Sequence, residues 1–107
     1  MIKPGIALSI AKPGLKNAPL IAAQAADNLI AIRGITASFV LSTTPEGIMV
    51  SGRSLGDINV QLILEKLGGG GHLTMAGAQL YDMTLEQGRQ RVIDAVSEYL
   101  AEDNLIN

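Results

Sequence analysis

The chain has 107 residues, 48% hydrophobic and 17% charged, a size and balance suited to one self-folding domain that buries about 65% of its unfolded surface. With no cysteine and a single histidine, it cannot build a disulfide, a thiolate zinc site, a cysteine nucleophile or a multi-histidine metal centre on its own. A formal net charge of −2 with only Phe39, Tyr81 and Tyr99 as aromatics argues against a broad phosphate-gripping face or a base-stacking platform, so any nucleotide contact is expected to be local.

Gly5 to Ile10 is a short apolar run between Pro4-Gly5 and Lys12-Pro13-Gly14, as in a buried strand. From Ala18 to Ile32 the residues Ile21, Ala22, Ala25, Leu29 and Ile32 line one helical face, with Asn17 as N-cap and Gly34 past the end. Gln24, Asp27 and Asn28 interrupt that segment, so it is not expected to span a membrane. Ile35 to Ser42 and Ile48 to Arg53 read as two strands joined by Thr44-Pro45-Glu46-Gly47. Asp57 is placed to cap a second helix over Ile58 to Leu67 that is apolar on nearly every side. Gly68-Gly69-Gly70-Gly71-His72 ends it as a loop, and Ala76 to Tyr81 follows as a strand. Thr84 and Gln87 form a capping box for a third helix with Val92, Ile93, Val96 and Leu100 facing the core. Gly88 weakens its first turns. The fold class expected is a two-layer α/β sandwich: a mixed sheet of four to five strands with three helices.

Four glycines before the only histidine form the most unusual local feature. One glycine suffices for a left-handed helix cap, and the others could form a hinge. Alternatively, they let backbone N–H groups approach a phosphate, with the imidazole of His72 adding a hydrogen bond. The loop follows a helix, and a C-terminal dipole disfavours anions, so a cationic partner is required. Arg53 is the candidate. Strand alternation puts Ser51 and Arg53 on one face, away from Ile48, Val50 and Gly52. The arginine fork suits a pair of phosphate oxygens, and hydroxyls of Ser51 and Ser54 could stand beside it. The plainer reading of Arg53 is a strand-end surface residue paired with Asp57. No Ser, His and Asp spacing resembles a hydrolase triad.

Together, Ser51-Gly52-Arg53-Ser54, Asp57-Ile58-Asn59-Val60-Gln61, Glu65-Lys66-Leu67 and Gly68 to His72 resemble the DHHA1 domain of DHH phosphoesterases, most closely the membrane-bound bacterial cyclic-di-AMP phosphodiesterases. The resemblance runs from about Ile21 to Leu100, and the paired S-x-R-S and G-G-G-H signatures are more specific together than either alone. It implies that residues 1–107 are the C-terminal, substrate-clamping lobe of a larger enzyme. It further implies a separate DHH lobe that holds two manganese ions, with no cofactor and no catalytic residue in the lobe seen here. By motif position, Arg53 and His72 would contact substrate phosphate, Gly69, Gly70 and Gly71 would admit its approach, and Ser51 and Ser54 would support Arg53. Asn59 would contact base or sugar. The chain departs from the family pattern at Met75 and Gly77, where relatives of this type carry asparagine and alanine. The partners implied are a cyclic dinucleotide and the DHH lobe of the same parent, which is anchored in the bacterial membrane with this lobe on the cytoplasmic side and not itself touching lipid. Alternatives are a single-stranded nucleic-acid module of the nanoRNase or exonuclease type, and a structural domain that forms a homodimer.

Overall fold

The structure is a computed structural model that describes residues 3–12 and 16–106. Five strands, β1 (Ile6–Ile10), β2 (Ala37–Thr44), β3 (Gly47–Ser54), β4 (Gly70–His72) and β5 (Met75–Tyr81), form one sheet in the order β1-β2-β3-β5-β4. The β1–β2 pair is parallel and the others are antiparallel. Three helices, α1 (Ala18–Ile30), α2 (Val60–Glu65) and α3 (Leu85–Ile106), complete the expected α/β fold.

The helices divide between the two faces of the sheet. On one face, Phe39, Leu41, Ile48, Val50, Ala76, Ala78 and Leu80 from the strands meet Ile63 and Leu64 of α2 and Val92, Ala95 and Val96 of α3. On the other, Ala22 and Ala26 of α1 sit against Val40, and the buried Ser38 hydroxyl donates to the Ala26 carbonyl at 2.8 Å. Small side chains at this four-residue spacing let α1 lie close to the sheet. α1 thus forms a layer of its own over β2 and β3.

Several local expectations are corrected. Asn17 has φ 56° and makes no side-chain cap bond, and Ile32, expected on the buried face of α1, is 53% exposed beyond its end. The cap of α2 is Asn59, not Asp57: the Asn59 side chain accepts the Leu62 N–H at 3.1 Å. The Val60 N–H is already bonded to the Leu73 carbonyl, so the helix begins two residues later than expected. It is buried along one face, Val60, Ile63, Leu64 and, just past its end, Leu67, and Leu62 is 48% exposed. In α3 the capping box forms in both directions, but Ala95 rather than Ile93 is buried. Gly88 admits the close approach of α3, since a Cβ there would lie 3.2 Å from Ile48. Pro13 and Gly14, expected to bound the first strand, lie outside the described residues. At the end of α2, Lys66 donates to Glu102 of α3 at 2.7 Å, and this bond raises the ammonium above its ordinary pKa.

The Asn59 cap gives a direct test of the α2 assignment. Asn59→Ala is expected to lower stability by about 1 kcal/mol, measured by urea unfolding, whereas Asp57→Ala should change it by less than about 0.5 kcal/mol.

Candidate functional site

The four glycines have three different structural tasks. Gly68 takes φ +85°. The Gly68 N–H donates to the Glu65 carbonyl and the Gly69 N–H to the Leu64 carbonyl, the paired bonds of a Schellman cap. The chain then runs straight into β4, a strand where a loop was expected, because a glycine run carries no alternation and little β-propensity to announce it. Gly71 pairs with Ala76 and Gly70 with Gly77. Side chains at Gly69 and Gly71 would strike β5: a Cβ on Gly69 would meet the Gly77 carbonyl at 2.1 Å, and one on Gly71 the Met75 carbonyl at 2.5 Å. A Cβ on Gly68 or Gly70 would meet nothing within 4 Å, but the φ of +85° at Gly68 would strain any other residue, so Gly70 is the one of the four with neither constraint.

Register then decides what faces what. Ser38, Arg53, Met75 and His72 occupy one row across β2, β3, β5 and β4, and Val40, Ser51, Gly77 and Gly70 occupy the next. Residues paired across antiparallel strands share a face, so Arg53, Ser51, Gly70 and His72 all belong to the face carrying α1. That helix covers β2 and β3 and leaves β5 and β4 open there: His72 is exposed, and Met75 is 50% exposed. With strands about 4.8 Å apart, Arg53 and His72 stand roughly 10 Å apart at the backbone, the span of a small ligand lying over Met75.

Arg53 is sheltered at the covered rim of this surface, its side chain 12% exposed. Nε donates to Asp27 of α1 at 2.8 Å and Nη1 to the Gly52 carbonyl at 2.8 Å. The partner expected for it was Asp57, and the one found is Asp27. Ser51, buried beside it, points the same way. Ser54 does not: one residue further along the pleat it belongs to the opposite face, donating to the Leu73 carbonyl and accepting from the Gly56 N–H at 3.2 Å each. The expected support of Arg53 by Ser54 is therefore absent. Asn59 is likewise remote from this face, its carboxamide oxygen committed to capping α2.

Two open depressions, of 460 and 550 Å³, lie at the other end of the sheet, around Tyr81 to Arg91 and around Thr43 to Leu85. Arg53 pairs with Met75 and Gly47 with Tyr81, so six residues, about 20 Å of strand, separate them from the Arg53 row. Arg53, Ser51 and His72, the groups that suit a phosphate, share the α1 face at the opposite end of the strands, with Arg53 and Ser51 at the covered rim and His72 on the open part. Among the described residues, no three His, Cys, Asp or Glu side chains are grouped to hold a metal ion. The described residues thus do not fit a metal centre.

This chain is 44% identical to the cyclic-di-AMP phosphodiesterase PdeA of Listeria monocytogenes over 96 residues, 89% of this chain and 15% of that protein. It is 45% identical to the cyclic-di-AMP phosphodiesterase GdpP of Geobacillus thermodenitrificans over the same shares. A bifunctional oligoribonuclease and PAP phosphatase, NrnA of Thermus thermophilus, is 45% identical over 69 residues, 64% of this chain and 21% of that one. Among solved structures, an exopolyphosphatase-related protein of Bacteroides fragilis superposes with a TM-score of 0.64 at 27% identity, covering 69% of this chain and 22% of its own. The chain therefore spans about a seventh of the length of the cyclic-di-AMP phosphodiesterases it matches. The DHHA1 domain model matches residues 5–102, and with the motif residues set in one sheet as described, the chain belongs to the DHHA1 domain family.

Proposed function

We propose that this chain is the substrate-clamping lobe of a DHH-type cyclic-di-AMP phosphodiesterase, binding the cyclic dinucleotide through its phosphates while a separate DHH lobe of the same parent opens it to a linear product. The observation that carries the reading is the cross-strand row that sets Arg53 and His72 on one face of the sheet, Arg53 at the rim of α1 and His72 on the part α1 leaves open, with Gly70 beside it. There the part of the guanidinium not held by Asp27 and the Gly52 carbonyl supplies a charged donor for a phosphate oxygen, the imidazole of His72 a further hydrogen bond, and Gly70 room for the ligand against the backbone. Ser51 supports the arginine side, and Gly69 and Gly71 serve by bringing β4 into register.

The described residues do not fit a metal site, and no step assigned to them runs through a metal. In this proposal the manganese ions belong to the DHH lobe, and the lobe described here binds without turnover. Among its described residues no helix is long and apolar enough to cross a membrane. In this proposal the membrane anchor belongs to another part of the parent, with this lobe on the cytoplasmic side.

Titration of the chain with cyclic di-AMP, followed by amide NMR, is expected to move Arg53 and Gly69 to His72 and to leave Tyr81 to Arg91 in place. No shift at those residues at millimolar ligand would overturn the proposal. A second reading, a lobe for short linear strands, is favoured by the similarity to the Thermus oligoribonuclease. It predicts tighter binding of a linear diadenylate than of the cyclic one, with affinity falling steeply as salt is added. A homodimerising structural domain would instead show self-association in light scattering and no ligand shifts.

A further inference from the structure

Arg53 is held at two of its three guanidinium nitrogens, Nε by the carboxylate of Asp27 and Nη1 by the Gly52 carbonyl, each at 2.8 Å. Two bonds in different directions fix both the position and the roll of a planar group. Nη2 makes no hydrogen bond among the described residues and is the nitrogen left for a ligand. We propose that Asp27 is a positioning residue for phosphodiester binding, its carboxylate holding the Arg53 fork so that Nη2 is offered to a phosphate oxygen on the uncovered sheet face. The inference rests on Arg53 being a phosphate ligand.

An exposed ion pair on a surface does little, because water screens it and two long side chains must be ordered to form it. This pair is different. The arginine is the sheltered member at 12% exposure and the carboxylate the water-facing one at 58%, so the arginine is not there to balance a buried acid. It sits at the rim of α1, one residue after the buried Ala26 whose carbonyl takes the Ser38 hydroxyl. Ser38 stands directly across from Arg53 in the sheet. Helix backbone and carboxylate are therefore tied to the same cross-strand row that ends in His72. A free arginine must surrender its rotamers when it takes a phosphate, and one already tethered loses far less.

Charge and positioning predict opposite signs. Removing a carboxylate beside an anion site would, by Coulomb interaction alone, tighten anion binding. Removing a tether would weaken it. The 107-residue chain would be titrated with cyclic di-AMP as wild type, Asp27→Asn and Arg53→Ala, following amide signals and the Arg53 Nε–Hε signal.

We expect Asp27→Asn to bind about tenfold more weakly, the equivalent of one charge-assisted bond's share of preorganisation. Its Arg53 Hε signal should move already without ligand, while the remaining amides superpose on wild type, a pattern that a general structural role would not produce. Asp27→Glu, with the carboxylate on a longer arm, is expected to fall between. Unchanged or tighter binding by Asp27→Asn, with Arg53→Ala weakened, would overturn the role of Asp27 and leave Arg53 as the phosphate ligand. Wild-type affinity in Arg53→Ala, or no ligand shifts in the wild type, would overturn both.

Discussion

Gly69→Ala is expected to cost on the order of 3 kcal/mol of stability, a fall in Tm of about 15 °C for a domain of this size, whereas Gly70→Ala should leave Tm within about 3 °C. The reason lies in what each new methyl group would meet. At position 69 it would sit 2.1 Å from the Gly77 carbonyl and 2.6 to 2.7 Å from Ala78, backbone and Cβ atoms that cannot swing aside. At position 70 it would meet nothing within 4 Å. Yet Gly70 lies on the face where the ligand is placed, so the alanine variant should lose cyclic-di-AMP affinity while remaining folded. Thermal melts by circular dichroism with a parallel ligand titration separate the two effects. Equal melting of both variants would show that β4 is not seated against β5 as described.

Arg53→Ala is expected to weaken cyclic-di-AMP binding between about 10- and 100-fold, the range of hydrogen bonds made to a charged group. Arg53→Lys keeps the charge, loses the fork and loses the Nε bond to Asp27, so it should recover only part of the loss. A lysine variant that binds like wild type would show that the arginine acts as a point charge and not through its geometry. Isothermal titration of the three proteins reads the difference.

Most of the framework was legible because it follows from patterns of burial. The alternation along Ile48 to Arg53 placed Ser51 and Arg53 together, and the T-x-x-Q box placed the start of α3. The boundaries of α2 were obscured by a long-range bond: the Leu73 carbonyl takes the Val60 N–H, and nothing near Ile58 announces a partner so far along the chain. The glycine run hid a strand for the opposite reason, since it has no side chains to show a period. Asp27 was visible only as a break in an apolar helix. Its role depends on which residue of β3 lies beneath the helix rim, a fact of tertiary packing. Asp57 is near Arg53 in sequence, but Leu55 and Gly56 carry the chain off the sheet before it is reached. Ser54 was grouped with Arg53 by adjacency in the motif, whereas the pleat turns neighbouring residues to opposite sides.

The edge strand of glycines has a consequence for how the histidine is aimed. A strand normally carries a record of its own alignment in the alternation of large and small side chains, and a slip by one residue is punished by turning that record inside out. The run from Gly68 to Gly71 holds no such record. It is moored from outside, by the helix cap at Gly68 and Gly69 on one end and by the Leu73 carbonyl, shared between the Val60 N–H and the Ser54 hydroxyl, on the other. Between fixed moorings, the number of glycines sets the direction of the imidazole, as the length of a rope sets where its knot falls. Four residues bring His72 out on the side of Arg53, and one more or one fewer would turn it toward the core.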